Sequence, residues 1–150
     1  RETALQLLNN LCPCEADSRN VELLFSRFER EVYAKGDVLW TQGSPSDCVK
    51  LLVTGMLIAQ LENEAGTVET IAWGNTIGEL GLLQGLARMS SVSCISEEAI
   101  VYSMSRAAFD DLCQRSPRAA RLIDLICIRY LSARVQHVSN RIFETRCLPI

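Results

Sequence analysis

Apolar and polar positions keep a helical rhythm at both ends of the chain and a two-residue rhythm in between. Leu5, Leu8 and Leu11 predict a short helix over 2–11, ended by Cys12 and Pro13. Ser18 is the expected N-cap of a second helix, with Val21, Leu24, Phe25 and Phe28 at helical spacing. From Val32 the alternation predicts strands over 38–42, 49–53, 56–61, 68–72, 91–96 and 99–104. Gly36, Gly43, Gly55, Gly66 and Gly74 stand between them as turn residues. Strands recurring at roughly ten-residue intervals suggest an antiparallel sandwich or roll. Ser105 then caps a helix from Arg106 to about Gln114, and Ser116–Pro117 starts a longer one with proline at its first position. The pattern is that of one α+β domain: helices over 1–30, a rolled sheet over 31–105, and two C-terminal helices over 106–150.

The last helix carries Ile128, Leu131, Val135, Val138 and Ile142 in a 3-4-3-4 rhythm, so one apolar stripe needs a cover. The simplest cover is the roll. The alternatives are a second subunit, giving a homodimer through this helix, or the rest of a larger protein. Arg121 and Asp124 break the heptad upstream and speak against an extended coiled coil.

Composition narrows the function classes. The chain of 150 residues is 48% hydrophobic, enough for one real core. It has no apolar run of membrane-spanning length. It starts at Arg1, shows no secretory signal, and reads as a module of a longer protein. Residues 1–105 hold 7 basic and 14 acidic side chains, whereas 106–150 hold 8 arginines and 4 acids. An acidic body argues against a nucleic-acid partner. The seven cysteines form an odd set without framework spacing; Cys48, Cys94, Cys113 and Cys127 sit in apolar contexts that fit reduced thiols and a cytoplasmic location. A single histidine, His137, excludes a cupin-like metal site and the usual nucleophilic triads. Trp40 and Trp73 read as core or rim packing, Trp73 being near enough to the next segment to serve as a fluorescence probe.

That segment, Gly78 to Val92, reads GELGLLQGLARMSSV. A glycine turn leading into a short helix presents unpaired backbone N–H groups suited to an anion. Gly78 and Gly81 let a ligand approach the main chain. Arg88 offers a planar fork of donors matched to phosphate oxygens. Ionised Glu79 only accepts hydrogen bonds and so selects a hydroxyl-bearing partner such as ribose. Each residue also has a local explanation: Glu79 as a helix-dipole charge worth about 0.3–1 kcal/mol, Arg88 as a surface ion-pair member worth about 0–1 kcal/mol. Their order and spacing together point to a sugar-phosphate site.

Ile77-Gly78-Glu79-Leu80-Gly81-Leu82, followed by Arg88-Met89-Ser90-Ser91-Val92, resembles the phosphate-binding cassette of cyclic nucleotide-binding domains. Tyr33 to Asp37 and Thr54–Gly55 resemble recurrent turns of that family's β-roll, and the likeness runs from about Glu22 to Asn140. The resemblance implies an antiparallel, jelly-roll-like β-roll and binding without catalysis. Arg88 and the amides of residues 80–82 and 89–90 would hold the phosphate and Glu79 the 2′-hydroxyl. The expected ligand-binding residues are Gly78, Glu79, Leu80, Gly81, Leu82, Arg88, Met89 and Ser90, with cAMP or cGMP as ligand and no catalytic or metal-binding residue. Met89 replaces a small or hydroxyl-bearing residue that some members use with guanine, which favours cAMP. The rival implication is a module that has lost its ligand and serves assembly. The tail from Pro117 to Arg141 is loosely similar to domains appended to sulfate-permease-type anion transporters, which would place the module at the cytoplasmic face of a membrane. A catabolite-activator-type transcription factor would need a helix-turn-helix beyond Ile150.

Overall fold

The structure is a computed structural model that describes residues 17–62 and 68–146. The expected helix over 2–11, the Cys12–Pro13–Cys14 run and Gly66 lie outside the described residues. The elements in order are α1 (Ser18–Phe25), β1 (Glu29–Ala34), β2 (Val38–Trp40), β3 (Cys48–Thr54), β4 (Leu57–Gln60), β5 (Val68–Ile71), β6 (Thr76–Ile77), α2 (Glu79–Gln84), β7 (Ser91–Cys94), β8 (Glu98–Ser105), α3 (Arg106–Arg115) and α4 (Pro117–Arg146). The strands form two four-stranded antiparallel sheets, ordered β1-β8-β3-β6 and β2-β7-β4-β5. The result is an α+β fold: a β-roll with helices at its C-terminal end.

Side-chain alternation sorts two cores. Leu52, Leu57, Ile77, Val92 and Val101 fill the space between the sheets. Val49 and Met104, on the opposite face of the first sheet, pack with Val21 and Leu24 of α1 and with Leu112, Leu122 and Ile123 of α3 and α4. β3 is therefore covered on both sides, which accounts for its nearly unbroken burial. Lys50 shares the inner face with Leu52, and its charge is met by Glu31 and by Ser103. The four described cysteines that sit in ordered elements, Cys48, Cys94, Cys113 and Cys127, are all free thiols.

Two local expectations change and a third holds. Asp17, not Ser18, caps α1: its carboxylate accepts from the Arg19 amide at 3.0 Å, and Ser18 is the first helical residue. α1 ends at Phe25, so Phe28 lies beyond it and meets Tyr102 edge-on at 6.3 Å. Ser105 does cap α3, accepting from the Ala108 amide at 3.1 Å.

The stripe on α4 is the larger correction. Ile128, Val135, Val138 and Ile142 are 49–64% exposed and do not lie on the roll. The covered line is a different one, through Ala119, Ala120, Leu122, Ile123, Ile126 and Cys127. Small residues let α4 approach closely there, and the same line continues into Tyr130 and Arg134, which are polar because they face a cavity rather than a core.

The first residue of α3 is tied to two other parts of the chain. The Arg106 amide donates to the Asp47 carbonyl at 2.7 Å, and its guanidinium donates to the Leu82 carbonyl at the end of α2.

Candidate functional site

A cavity of about 360 Å³ opens where α2, the segment after it, β4, β5 and α4 meet. This is within the usual span of small-molecule sites, roughly 300–1,000 Å³. The short β6 is followed by Gly78, whose φ of +80° is left-handed and suits glycine alone without strain. A Cβ on Gly78 would lie 1.9 Å from Arg88 Nη1 and 3.0 Å from the Cys48 carbonyl oxygen. The bare backbone is thus what lets the guanidinium lie against the turn. Gly81 is needed for a similar reason, since a Cβ there would sit 1.7 Å from Ser46 Oγ.

Arg88 turns inward and is only 6% exposed. Nη1 donates to the Cys48 carbonyl at 3.1 Å and Nη2 to Cys48 Sγ at 3.0 Å. The guanidinium carbon lies 3.8 Å from the centroid of the Trp40 ring. Nε is buried without a partner, and among the described residues no carboxylate stands within ion-pair distance of this cation. A buried charge without counter-charge is expensive, and a bound anion would relieve it.

Glu79, the first residue of α2, is 4% exposed. Burial pushes its carboxyl above the usual range, while its own backbone N–H and the nearby charges of Arg134 and Arg88 pull the other way. Arg134 on α4 pairs with Glu69 of β5 at 2.6 Å and lies 5.7 Å from the Tyr130 ring centroid. Burial, with the Arg134 charge opposing it, leaves the Tyr130 hydroxyl pushed up to about 12. Ser46 also lines the cavity, and its hydroxyl is buried without a partner.

Seven of the eight residues singled out in the sequence line this cavity: Gly78, Glu79, Leu80, Gly81, Arg88, Met89 and Ser90. Leu82 does not. Its side chain is 1% exposed in the helical core, and its amide is turned to the Gly78 carbonyl at 3.4 Å, so it has no donor to offer a ligand. Met89 stands at the wall with 60% of its surface exposed and does not plug the space. Trp73 is 50% exposed and outside the lining, whereas Trp40 is part of it. Sequence reasoning missed Trp40, Ser46, Glu69, Tyr130 and Arg134 as cavity residues. The i, i+4 pair Tyr130 and Arg134 carried a readable signal, since both continue the buried line of α4 with a polar end.

Sequence comparison matches residues 30–116 to the model of the cyclic nucleotide-binding domain. An uncharacterised NTE family protein of Mycobacterium bovis is 25% identical over 103 residues, 69% of this chain and 17% of that protein. A cGMP-dependent protein kinase of Eimeria tenella is 27% identical over 103 residues, 69% of this chain and 10% of the kinase. The chain thus spans less than a fifth of the length of these curated relatives. Among solved structures, a cyclic nucleotide-binding domain from Methylobacillus flagellatus superposes with a TM-score of 0.84 at 22% identity, covering 99% of this chain and 85% of the other. The match over more than half of the sequence, on a β-roll of this topology, means that the chain belongs to the cyclic nucleotide-binding domain family.

Proposed function

We propose that the cavity takes a cyclic nucleoside monophosphate, and that the chain is a ligand-responsive regulatory module of a larger protein. The observation that carries this reading is Arg88, a buried guanidinium with no carboxylate at ion-pair distance among the described residues, in the wall of a cavity of suitable size. In this reading Arg88 and the main-chain amides near Leu80, Gly81, Met89 and Ser90 receive the phosphate. Glu79 accepts from the ribose 2′-hydroxyl. Met89 supplies no hydroxyl for guanine, so cAMP is the favoured ligand over cGMP. The kinase relative is cGMP-dependent by name, which makes cGMP the natural competitor in the test.

Calorimetry with wild type and Arg88→Ala decides the matter. Wild type is expected to give a saturable trace with cAMP, a weaker one with cGMP and a poor one with 2′-deoxy-cAMP. Arg88→Ala is expected to lose about 2–5 kcal/mol of affinity, the usual loss when one partner of a buried charge pair is removed. A flat trace with both nucleotides at millimolar concentration, on folded protein, would refute the reading. It would favour a module retained for assembly, which has its own support in the exposed aliphatic residues Ile128, Val135 and Val138 on α4. Those residues are where a second copy or the remainder of the parent protein would dock. An anion-transporter parent, with the module at a cytoplasmic membrane face, rests on the tail's resemblance alone.

A further inference from the structure

Trp40 lies on β2, well outside the segment that carries the glycines and Arg88, yet it makes the closest aromatic contact that Arg88 has. We infer that Trp40 is the positioning residue for Arg88, holding the guanidinium where an anionic phosphodiester of the ligand would meet it. The inference rests on the cyclic-nucleotide reading of the cavity and names the part of the chain that sets its affinity.

An arginine side chain has several rotatable bonds, and a buried one needs partners to stay in one arrangement. Two of the partners Arg88 has come from a single residue, the Cys48 carbonyl and the Cys48 sulfur, and sulfur is a weak acceptor. The indole supplies what these lack, a flat electron-rich face at 3.8 Å from the guanidinium carbon. The indole is itself fixed. Its Nε1 donates to the Ser90 carbonyl at 3.1 Å. The chain just after β2 grips the same segment: the Gln42 amide donates to Ser91 Oγ at 2.8 Å, the Gly43 amide to the Arg88 carbonyl at 2.8 Å, and the Arg88 amide to the Ser44 carbonyl at 3.0 Å. Trp40 therefore stands in a frame that fixes Arg88 by main chain and side chain together. With the indole on one face and the bare Gly78 backbone close by, the guanidinium is held in the cavity wall with its Nε buried and unpartnered.

The competing explanation is that Trp40 merely packs beside the inter-sheet core, with which it is in contact. A double-mutant cycle separates the two. Trp40→Phe keeps an aromatic face, and Trp40→Leu keeps only apolar bulk. With cAMP as the titrant, Trp40→Phe is expected to bind within about threefold of wild type, and Trp40→Leu to bind roughly 3- to 30-fold more weakly. In an Arg88→Ala background the Trp40→Leu change is expected to alter affinity less than twofold, because nothing is left to position. In a Trp73→Phe protein Trp40 is the sole tryptophan, and Arg88→Ala is expected to shift its emission without any ligand. Wild-type-like binding by Trp40→Leu would overturn the inference, as would an equal loss with and without Arg88, or no rescue by Phe. If wild type itself fails to bind while folded, the cyclic-nucleotide reading falls and this inference with it. If wild type and Arg88→Ala behave as proposed and Trp40→Leu binds normally, the inference alone falls.

Discussion

Adding one methyl group at Gly78 is the sharpest probe of the site, because it disturbs Arg88 without touching the charge. Two effects combine in Gly78→Ala. The first is backbone strain at φ +80°, about 1–2 kcal/mol for a residue with a Cβ. The second is steric: the new Cβ falls 1.9 Å from Arg88 Nη1 and 3.0 Å from the Cys48 carbonyl oxygen. The guanidinium must leave and the main chain cannot easily follow, an overpacking that costs about 1–3 kcal/mol. The stability loss is then about 2–5 kcal/mol. If the cavity takes the proposed phosphate, displacing Arg88 also forfeits a charge-assisted hydrogen bond to it, about 1.5–3 kcal/mol, or roughly 10- to 150-fold in affinity. Gly36→Ala is the matched control. Its φ is +90° and nothing lies within 4 Å of the added Cβ, so it carries the strain without the clash. Thermal unfolding of the two variants, with calorimetric titration of cAMP, isolates the steric effect. If Gly78→Ala binds within threefold of Gly36→Ala, Arg88 is not the anchor claimed for it.

Two further outcomes follow from buried polar groups. Glu79 has a raised carboxyl pKa when folded, so its ionisation opposes folding as pH rises from its ordinary value of 4.5 through the raised one. Glu79→Gln is therefore expected to stabilise the ligand-free protein, with a gain over wild type that grows across that window and is then constant. It should also blunt the discrimination between cAMP and 2′-deoxy-cAMP, and a gain independent of pH would contradict the assignment. Ser46→Ala removes an unpartnered buried hydroxyl and should raise ligand-free stability by about 1 kcal/mol. A lower melting temperature for this variant would mean that the hydroxyl has a bonding role in the ligand-free state.

The roll was legible because strands with one face on a core must alternate, and the glycines that punctuate them mark their own turns. Ser105 and Pro117 announced α3 and α4 by capping chemistry that depends on the local chain alone. The face of α4 was not legible. A rhythm of aliphatic residues shows that a stripe exists, but which stripe the fold covers depends on where the roll sits. Here the covered line contains Ala119, Ala120 and Cys127, weak signals beside Ile128 and Val135. The cavity divided in the same way. Gly78, Glu79 and Arg88 stand close together in sequence and could be read as a unit. Trp40, Ser46 and Arg134 reach it only through strand pairing and helix docking, at separations that no local pattern records. Leu82 was misplaced because a six-residue helix turns its fourth residue back to its own start, away from the turn that seems to present it.

Arg106 fastens the end of α2 to the beginning of α3, and through the Asp47 carbonyl it also grips the loop that carries Ser46. There is consequently little slack between the cavity floor and the two terminal helices. α4 in turn follows one residue after α3 ends. A single residue, Arg106, thus joins the wall of the cavity to the two helices that leave the roll.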